Sequence, residues 1–155
     1  YDGADASFEL LARRIIGEIP RYISITEYDV SVKKNSLGEI ISSAKANLEV
    51  DGEKIICEGE GNGPVNALDN AIRQNVDRLA KYSEYLKDLK LVDYKVRILN
   101  TGTEAVTRVS IESTDSKGKN WFTIGVSTNI IDASFKALID SLDYKLFKDN
   151  APASI

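Results

Sequence analysis

Residues 40–79 read IISSAKANLEVDGEKIICEGEGNGPVNALDNAIRQNVDRL, and their hydrophobic period changes part-way along. Apolar and polar side chains alternate over residues 40–50, which is typical of a half-buried β-strand. The pair Asp51-Gly52 predicts a two-residue hairpin turn, because a type I′ turn needs a positive φ at both central residues. A further strand is therefore predicted over residues 53–59.

A helix is predicted directly after the sequence Gly61-Asn62-Gly63-Pro64. Pro64 suits the first position of a helix, where its missing N–H is not needed, and Gly63 is an acceptable N-cap. The apolar residues that follow are spaced by three or four, as on one face of a helix: Val65, Leu68, Ile72, Val76 and Leu79.

The same order of elements is predicted on both sides of this region. Before it come a helix over residues 7–16, with Phe8, Leu11 and Ile15 on its apolar stripe, and a strand from Ile23. After it come strands over residues 91–99, 106–113 and 121–126, with a turn at Lys117-Gly118. A last helix, capped by Asn129, carries the stripe Ile131, Phe135, Leu138 and Leu142.

The two halves align without a gap at an offset of 66 residues, the distance from Tyr28 to Tyr94. This offset also superposes the helix alanines Ala67 and Ala133, and it pairs both hairpin glycines and both glycines that precede the helices. The fold class predicted is α+β, with two βββα units related by pseudo-twofold symmetry and preceded by a short helix. The alternative is a chance similarity between two βββα halves.

Composition restricts the classes of function. The net charge of −4 is mixed along the chain and argues against a nucleic-acid partner. The apolar runs are far shorter than the ~20 residues that span a bilayer, so no membrane partner is expected. The single cysteine, Cys57, is predicted to be a packing residue and is consistent with a cytoplasmic location.

The sequence has neither histidine nor methionine. Without histidine it lacks the commonest general base and the commonest transition-metal ligand, so no catalytic residue and no metal site is predicted. Without methionine the chain reads as a piece of a longer protein. We expect residues 1–21 to be a connecting helix or linker, and residues 22–155 to form one domain of two units, 22–86 and 87–155.

Two features could bind a ligand. The turn from Gly61 to Ala67 precedes a helix whose free N–H groups suit a carboxylate, but the residues alone favour a tight strand-to-helix turn that needs no ligand. Tyr94, Val96 and Ile98, with Leu91 just before them, could line a pocket for an aliphatic side chain or could be core residues. The segment 101–104, which joins two predicted strands, could be simply a hairpin loop.

The sequence resembles the C-terminal regulatory domain of the isopropylmalate synthase and citramalate synthase family. The motifs that carry the resemblance are EGNGPVNAL at 60–68, VDYKVRIL at 92–99, GVSTNIIDAS at 125–134 and LDYKL at 142–146, with Gly102-Thr103, Ala105 and Arg108-Val109 between them. Residues 1–11, YDGADASFELL, resemble the segment that precedes this domain in the citramalate branch.

The resemblance implies a homodimeric regulatory domain that binds the end product of its pathway. It implies isoleucine as the effector in a citramalate synthase and leucine in an isopropylmalate synthase. The parent enzyme would carry a catalytic TIM barrel in the same polypeptide and use acetyl-CoA and a divalent metal, whereas this part of it would need no cofactor. The rival hypotheses are a dimerisation domain that has lost effector binding, and a stand-alone enzyme or nucleic-acid binder.

The resemblance also implies an effector pocket. Leu91, Tyr94 and Ile98 would contact the branched side chain. The turn would frame the pocket and present helix N–H groups near the carboxylate. The residues implied in the turn are Gly61, Asn62, Gly63, Pro64, Val65 and Ala67. Thr103, Thr107, Ser127 and Asn129 would supply the remaining walls and polar contacts.

Overall fold

The computed structural model describes residues 4–155, so the first three residues of the predicted linker and of the YDGADASFELL motif lie outside the described residues. The elements are α1 (Asp5–Ile15), β1 (Ser24–Lys34), β2 (Ile40–Val50), β3 (Glu53–Gly61), α2 (Pro64–Gln74), α3 (Ser83–Leu86), β4 (Lys90–Thr101), β5 (Glu104–Thr114), β6 (Asn120–Ser127) and α4 (Ile130–Lys148). Two short 3₁₀ turns, Val76–Arg78 and Ala80–Tyr82, lie between α2 and α3. None of the helices in the described part is long and apolar enough to cross a membrane.

The chain divides into two compact units. The first unit holds residues 21–87 and 152–155, with the antiparallel sheet β1-β2-β3 and helix α2. The second unit holds residues 88–151 and helix α1, with the antiparallel sheet β4-β5-β6 and helix α4. The prediction of an α+β fold with two βββα units is confirmed. The pseudo-twofold relation and the domain limits at residues 21 and 86 stay predictions.

The core of the first unit lies between α2 and the inner face of β2 and β3. Alternation along β2 is as predicted, since Ser42, Ala44, Ala46, Leu48 and Val50 are buried there and their neighbours are not. Cys57 is fully buried among these residues, as expected of a packing cysteine. The turn after β2 is confirmed as type I′ because Asp51 and Gly52 have φ values of 53° and 80°.

Helix α2 ends earlier than the apolar spacing predicts. It stops at Gln74, so Val76 lies in a 3₁₀ turn and Leu79 lies between the two turns. Asn75 is the cause, because its side-chain amide donates to the carbonyl of Ala71, 2.7 Å away, and to that of Glu58 on β3. The backbone N–H of Asn75 then bonds to Ile72, three residues back, and the α-helical pattern ends.

The core of the second unit lies between α4 and the inner face of β5 and β6. Three of the four residues on the predicted stripe, Phe135, Leu138 and Leu142, are buried against this face, while Ile131 is half-buried. The predicted cap is confirmed, since the Asn129 side chain accepts from the N–H groups of Ile131 and Asp132.

Helix α1 buries a different face from the one predicted. Ala6, Ser7 and Leu10 are buried, whereas Phe8, Leu11 and Ile15 are 51%, 41% and 77% exposed. The predicted stripe was therefore wrong as a core face. The physical reason is the free edge of β6. The small side chain of Ser7 reaches that edge and accepts a hydrogen bond from the N–H of Ile124, 2.9 Å away.

Each unit has one short hairpin loop and one longer loop, in opposite order. In the first unit the longer loop (35–39) joins β1 to β2, and the two-residue turn Asp51-Gly52 joins β2 to β3. In the second unit the two-residue loop Gly102-Thr103 comes first and the longer loop (115–119) comes second.

Because the loop order differs, the predicted gapless alignment of the two halves is wrong for the middle strands. Gly59 lies opposite Ala44 and Gly125 opposite Val109, so the middle strands align at an offset of 65, the distance from Ala44 to Val109. The offset of 66 holds for the outer strands and for the helix N-caps Gly63 and Asn129.

Candidate functional site

An exposed apolar strip runs along β4. Tyr94, Val96 and Ile98 are 39%, 42% and 67% exposed. They lie on the inner, helix-facing side of the sheet, because their cross-strand neighbours are the buried Ile111 and Val109 and the half-buried Thr107. Helix α4 lies over β5 and β6 and leaves β4 uncovered. The core alternative for this strip is therefore wrong within the chain.

Leu91 belongs to the same strip, although it precedes Tyr94 by an odd number of residues. The pairing of β4 with β5 shifts between Leu91 and Asp93, so that Leu91 lies opposite the buried Ser113. Such a bulge adds one residue to one strand and restores the alternation. Leu91, Tyr94, Val96 and Ile98 consequently share one side of β4, and we call them the β4 strip.

One end of the β4 strip reaches the start of α4. Ile98 lies opposite Thr107, and Thr107 lies opposite Ser127. The hydroxyl of Ser127 accepts a hydrogen bond from the N–H of Asn129, 3.2 Å away, directly before the helix. The structure thus brings together four of the predicted site residues in a row that ends at the N-terminus of α4.

The other three predicted residues of this unit lie farther away. Tyr94 stands four residues along β4 from Ile98, roughly 13 Å at the usual rise of a strand, and Leu91 lies beyond it. Thr103 is exposed in the two-residue loop at the far end of the hairpin, three residue pairs past Ile98.

The remaining predicted residues form the start of α2 in the first unit. Val65 and Ala67 are buried in the core. A side chain at Gly61 would overlap the Asn66 side chain and the backbone of Ala67, so helix packing alone requires glycine there. Gly63 has an extended backbone and open space around it, and Asn62 is exposed. Pro64 occupies the first helical position, as predicted.

The two helix starts differ in their capping. Asn129 uses its side-chain oxygen to accept from two N–H groups of α4. At the start of α2, in the described part of the chain, no side chain caps the helix. Its first N–H groups, which carry partial positive charge, can therefore donate to a carboxylate.

The first unit contains a counterpart of this row, which was not predicted from the sequence. Val32 lies opposite Ser42, and Ser42 lies opposite Gly61, just before α2 begins. The signal was present in the repeat, because Val32 precedes Ile98 by the same 66 residues that separate Tyr28 from Tyr94. Val32 is also apolar and exposed, at 62%.

A buried charge cluster holds the beginning of β4. The ammonium of Lys145 lies 2.6 Å from Asp149, 3.1 Å from Asp115 and 3.4 Å from Asp88. Burial raises the pKa of the Asp115 carboxyl, but hydrogen bonds from Lys145 and from the backbone of Lys119 outweigh this and leave the pKa below its ordinary value. Sequence spacing alone gave no sign of this cluster, whose members are up to 61 residues apart, from 88 to 149.

Comparison with known proteins identifies the family. Residues 2–146 match the family model described as the LeuA allosteric (dimerisation) domain. The chain belongs to this family. The family membership expected from the motifs at 60–68, 92–99 and 125–134 is thereby confirmed.

The relatives that this chain matches are longer proteins, and the match covers only a part of each. The chain is 45% identical over 151 residues to an (R)-citramalate synthase of Geobacter sulfurreducens, covering 96% of the chain and 28% of that protein. It is 45% identical over 152 residues to an (R)-citramalate synthase of Aquifex aeolicus, with the same coverage. A 2-isopropylmalate synthase of Histophilus somni is 29% identical over 126 residues, which cover 80% of the chain and 22% of that protein. The chain thus spans between a fifth and a third of the length of these relatives.

Among residues 4–155, no group of three or more histidine, cysteine, aspartate or glutamate side chains could hold a metal ion.

Proposed function

We propose that this chain is the regulatory domain of an (R)-citramalate synthase, in which it binds isoleucine as a feedback inhibitor and joins two subunits into a homodimer. The 45% identity to two citramalate synthases, against 29% to a 2-isopropylmalate synthase, supports this branch of the family. The acetyl-CoA-dependent TIM barrel and its divalent metal would belong to the part of the parent enzyme outside this chain.

The observation that carries the proposal is the exposed β4 strip. Soluble proteins seldom leave a contiguous row of large apolar side chains in water unless a partner or ligand covers it. Tyr94 and Ile98 can bury an aliphatic side chain, which gains about 0.8 kcal/mol for each methylene removed from water. At its Ile98 end the strip meets Thr107 and Ser127, whose hydroxyl groups can bond to a carboxylate.

Regulation requires the effector to favour one of two conformations of the parent enzyme. The charge cluster around Lys145 fixes the beginning of β4 to the loop before β6 and to the end of α4, through Asp88, Asp115 and Asp149. An effector bound on β4 would therefore act on a strand that is anchored at one end and open along its inner face.

Isothermal titration calorimetry of this chain with isoleucine, leucine, valine and alanine tests the effector. We expect isoleucine to bind about thirty times more tightly than alanine, because it buries two to three more methylene equivalents. A stronger response to leucine would assign the domain to the leucine-regulated branch. Sedimentation velocity with and without isoleucine tests the dimer, and a monomer at tens of micromolar protein would contradict it.

A dimerisation domain without effector binding is the second candidate. Two observations support it. The space beside Gly61 is filled by the start of α2, so the glycine is explained without a ligand. The side-chain oxygen of Asn129 is already used to cap α4. A dimer in sedimentation that gives no heat with any of the three branched amino acids would select this candidate.

A further inference from the structure

Helix α1 presents a largely apolar face to solvent, interrupted only at its N-terminal end by the exposed Asp5. Phe8, Leu11, Ala12, Ile15 and Ile16 are all exposed, and Ile15 and Ile16 are 77% and 67% exposed. At 100° per residue these five positions cover one continuous sector of the helix and its first C-terminal residue. We call this sector the outward face of α1.

The helix cannot roll over to bury this face. Ser7 Oγ lies 2.8 Å from the carboxylate of Asp140 and accepts a hydrogen bond from the N–H of Ile124. Arg14 donates to Asp140 and to Asp143, each at 2.9 Å. These side chains lie on the buried side of α1 and fix its rotation against α4 and β6. The exposure of the outward face is therefore imposed by specific polar contacts.

Charged side chains border the outward face. Arg13 pairs with Glu9 at 2.8 Å and with Glu18 at 2.6 Å, and Lys148 of α4 also pairs with Glu9 at 2.8 Å. A large apolar centre with a rim of paired charges is the usual anatomy of a protein–protein contact. Leu11 and Ile15 are four residues apart, the spacing by which a helix enters an apolar groove.

We propose that the outward face of α1 docks onto the part of the parent polypeptide that lies outside this chain, in an apolar groove of that part. This inference rests on the proposed function, because it requires a larger enzyme. The chain spans only 28% of the citramalate synthases that it resembles, so the greater part of such a polypeptide is covalently tied to it. Covalent linkage keeps the effective concentration of the two parts high and makes a modest apolar contact sufficient.

The same contact would carry regulation. Helix α1 belongs to the second unit, together with β4 and the β4 strip. The tether Arg14 joins α1 to α4, and the β4 strip ends at the start of α4. Because α1, α4 and β4 belong to one compact unit, a groove of the parent enzyme that holds α1 would be connected through this unit to the strand proposed to bind the effector.

Hydrogen exchange of the α1 amides, measured by mass spectrometry in the full-length enzyme and in this chain alone, tests the docking. We expect the α1 amides to exchange at least about tenfold more slowly in the full-length enzyme, the ratio expected from burying one isoleucine side chain. Ile15→Lys should remove the slowing and weaken inhibition by isoleucine while leaving the uninhibited rate unchanged. The matched control Leu37→Lys, at an 82% exposed position in the β1–β2 loop, should change neither.

Equal exchange rates of α1 in the two proteins would overturn the proposal. A change from dimer to monomer in this chain alone on introducing Ile15→Lys would also overturn it, because the outward face would then contact a second copy. A failure of the effector proposal can be distinguished from a failure of the docking proposal. Wild-type chain that gives no heat with isoleucine, with α1 protected in the full-length enzyme, would refute isoleucine binding and leave the docking intact.

Discussion

Gly125 of β6 lies directly against the backbone of Ala133 in α4, with no room between them for a side chain. The first unit repeats this relationship, since Gly59 of β3 lies against the backbone of Ala71 in α2. In both units a glycine on the third strand lets the helix approach the sheet closely. The packing of helix on sheet thus accounts for two of the glycines that the repeat aligns.

Gly125→Ala should lower the free energy of unfolding by about 3 kcal/mol, because the new methyl group overlaps backbone atoms that cannot move aside cheaply. Guanidinium denaturation at neutral pH measures this. Gly63→Ala is the control, because nothing lies within 4 Å of its Cβ position and its φ of −163° suits any residue. Its cost should stay below about 1 kcal/mol, as for other weakened helix caps. Equal costs at the two positions would refute the close-approach argument.

Lys145→Met should destabilise the chain by about 3–5 kcal/mol, because it leaves three carboxylates near one another without the buried ammonium. Lys148→Met on the same helix is the matched control. Lys148 is about one-third exposed and pairs only with Glu9 among the described acids, so its loss should cost less than about 1 kcal/mol. Chemical denaturation of both variants at pH 7 measures the difference.

The effect of Lys145→Met should shrink on acidification. Burial raises the pKa of Asp88, but hydrogen bonds from Ser116 and the Lys145 charge outweigh it, so the folded-state pKa lies below the ordinary value. A carboxyl of this kind stabilises the folded state above its unfolded-state pKa of about 3.9, and this contribution is lost as the pH falls towards its folded-state pKa. The unfolding free energies of the wild type and of Lys145→Met should therefore converge below about pH 4. A gap of constant size from pH 7 to pH 3 would contradict this.

Asp143 should give the opposite pH dependence. Burial raises its pKa to about 7, although the charge of Arg14 lowers it, and the charge of Asp140 raises it further. Between its unfolded value near 4 and about 7 the folded state keeps a proton that the unfolded state has released, so stability falls as the pH rises through this window. Asp143→Asn should remove this fall, measured as the difference in unfolding free energy between pH 5 and pH 8. Glu84→Gln, which removes an exposed charge, should leave the fall unchanged.

The order of elements could be predicted from the sequence because period and turn chemistry are local signals. Strand alternation in β2, the type I′ turn at Asp51-Gly52 and the cap at Asn129 depend on a few adjacent residues. The exchange of long and short loops was missed because each half contains glycine turns that support a gapless alignment. The difference is visible only in the cross-strand pairing of Ala44 and Val109.

Which apolar face is buried could not be predicted for α1 and β4, because hydrophobic period does not reveal what covers a face. Leu11 and Ile15 form a regular stripe, yet α1 buries the smaller Ser7 and Ala6 so that it can approach the edge of β6. Tyr94 and Ile98 alternate like core residues, yet α4 does not reach β4. In both cases no element of the described residues covers the apolar face, and hydrophobic period cannot show this in advance.

The β4 strip gives the last prediction, which separates ligand binding from folding. Tyr94 is 39% exposed, so Tyr94→Ala should leave the unfolding free energy within about 1 kcal/mol of wild type while abolishing the heat of isoleucine binding. Tyr28→Ala is the matched control, because Tyr28 holds the equivalent position on β1 of the first unit and is not among the predicted site residues. It should leave isoleucine affinity unchanged. Unaltered isoleucine binding in Tyr94→Ala would place the pocket elsewhere, and an unfolded variant would show that Tyr94 supports the structure instead.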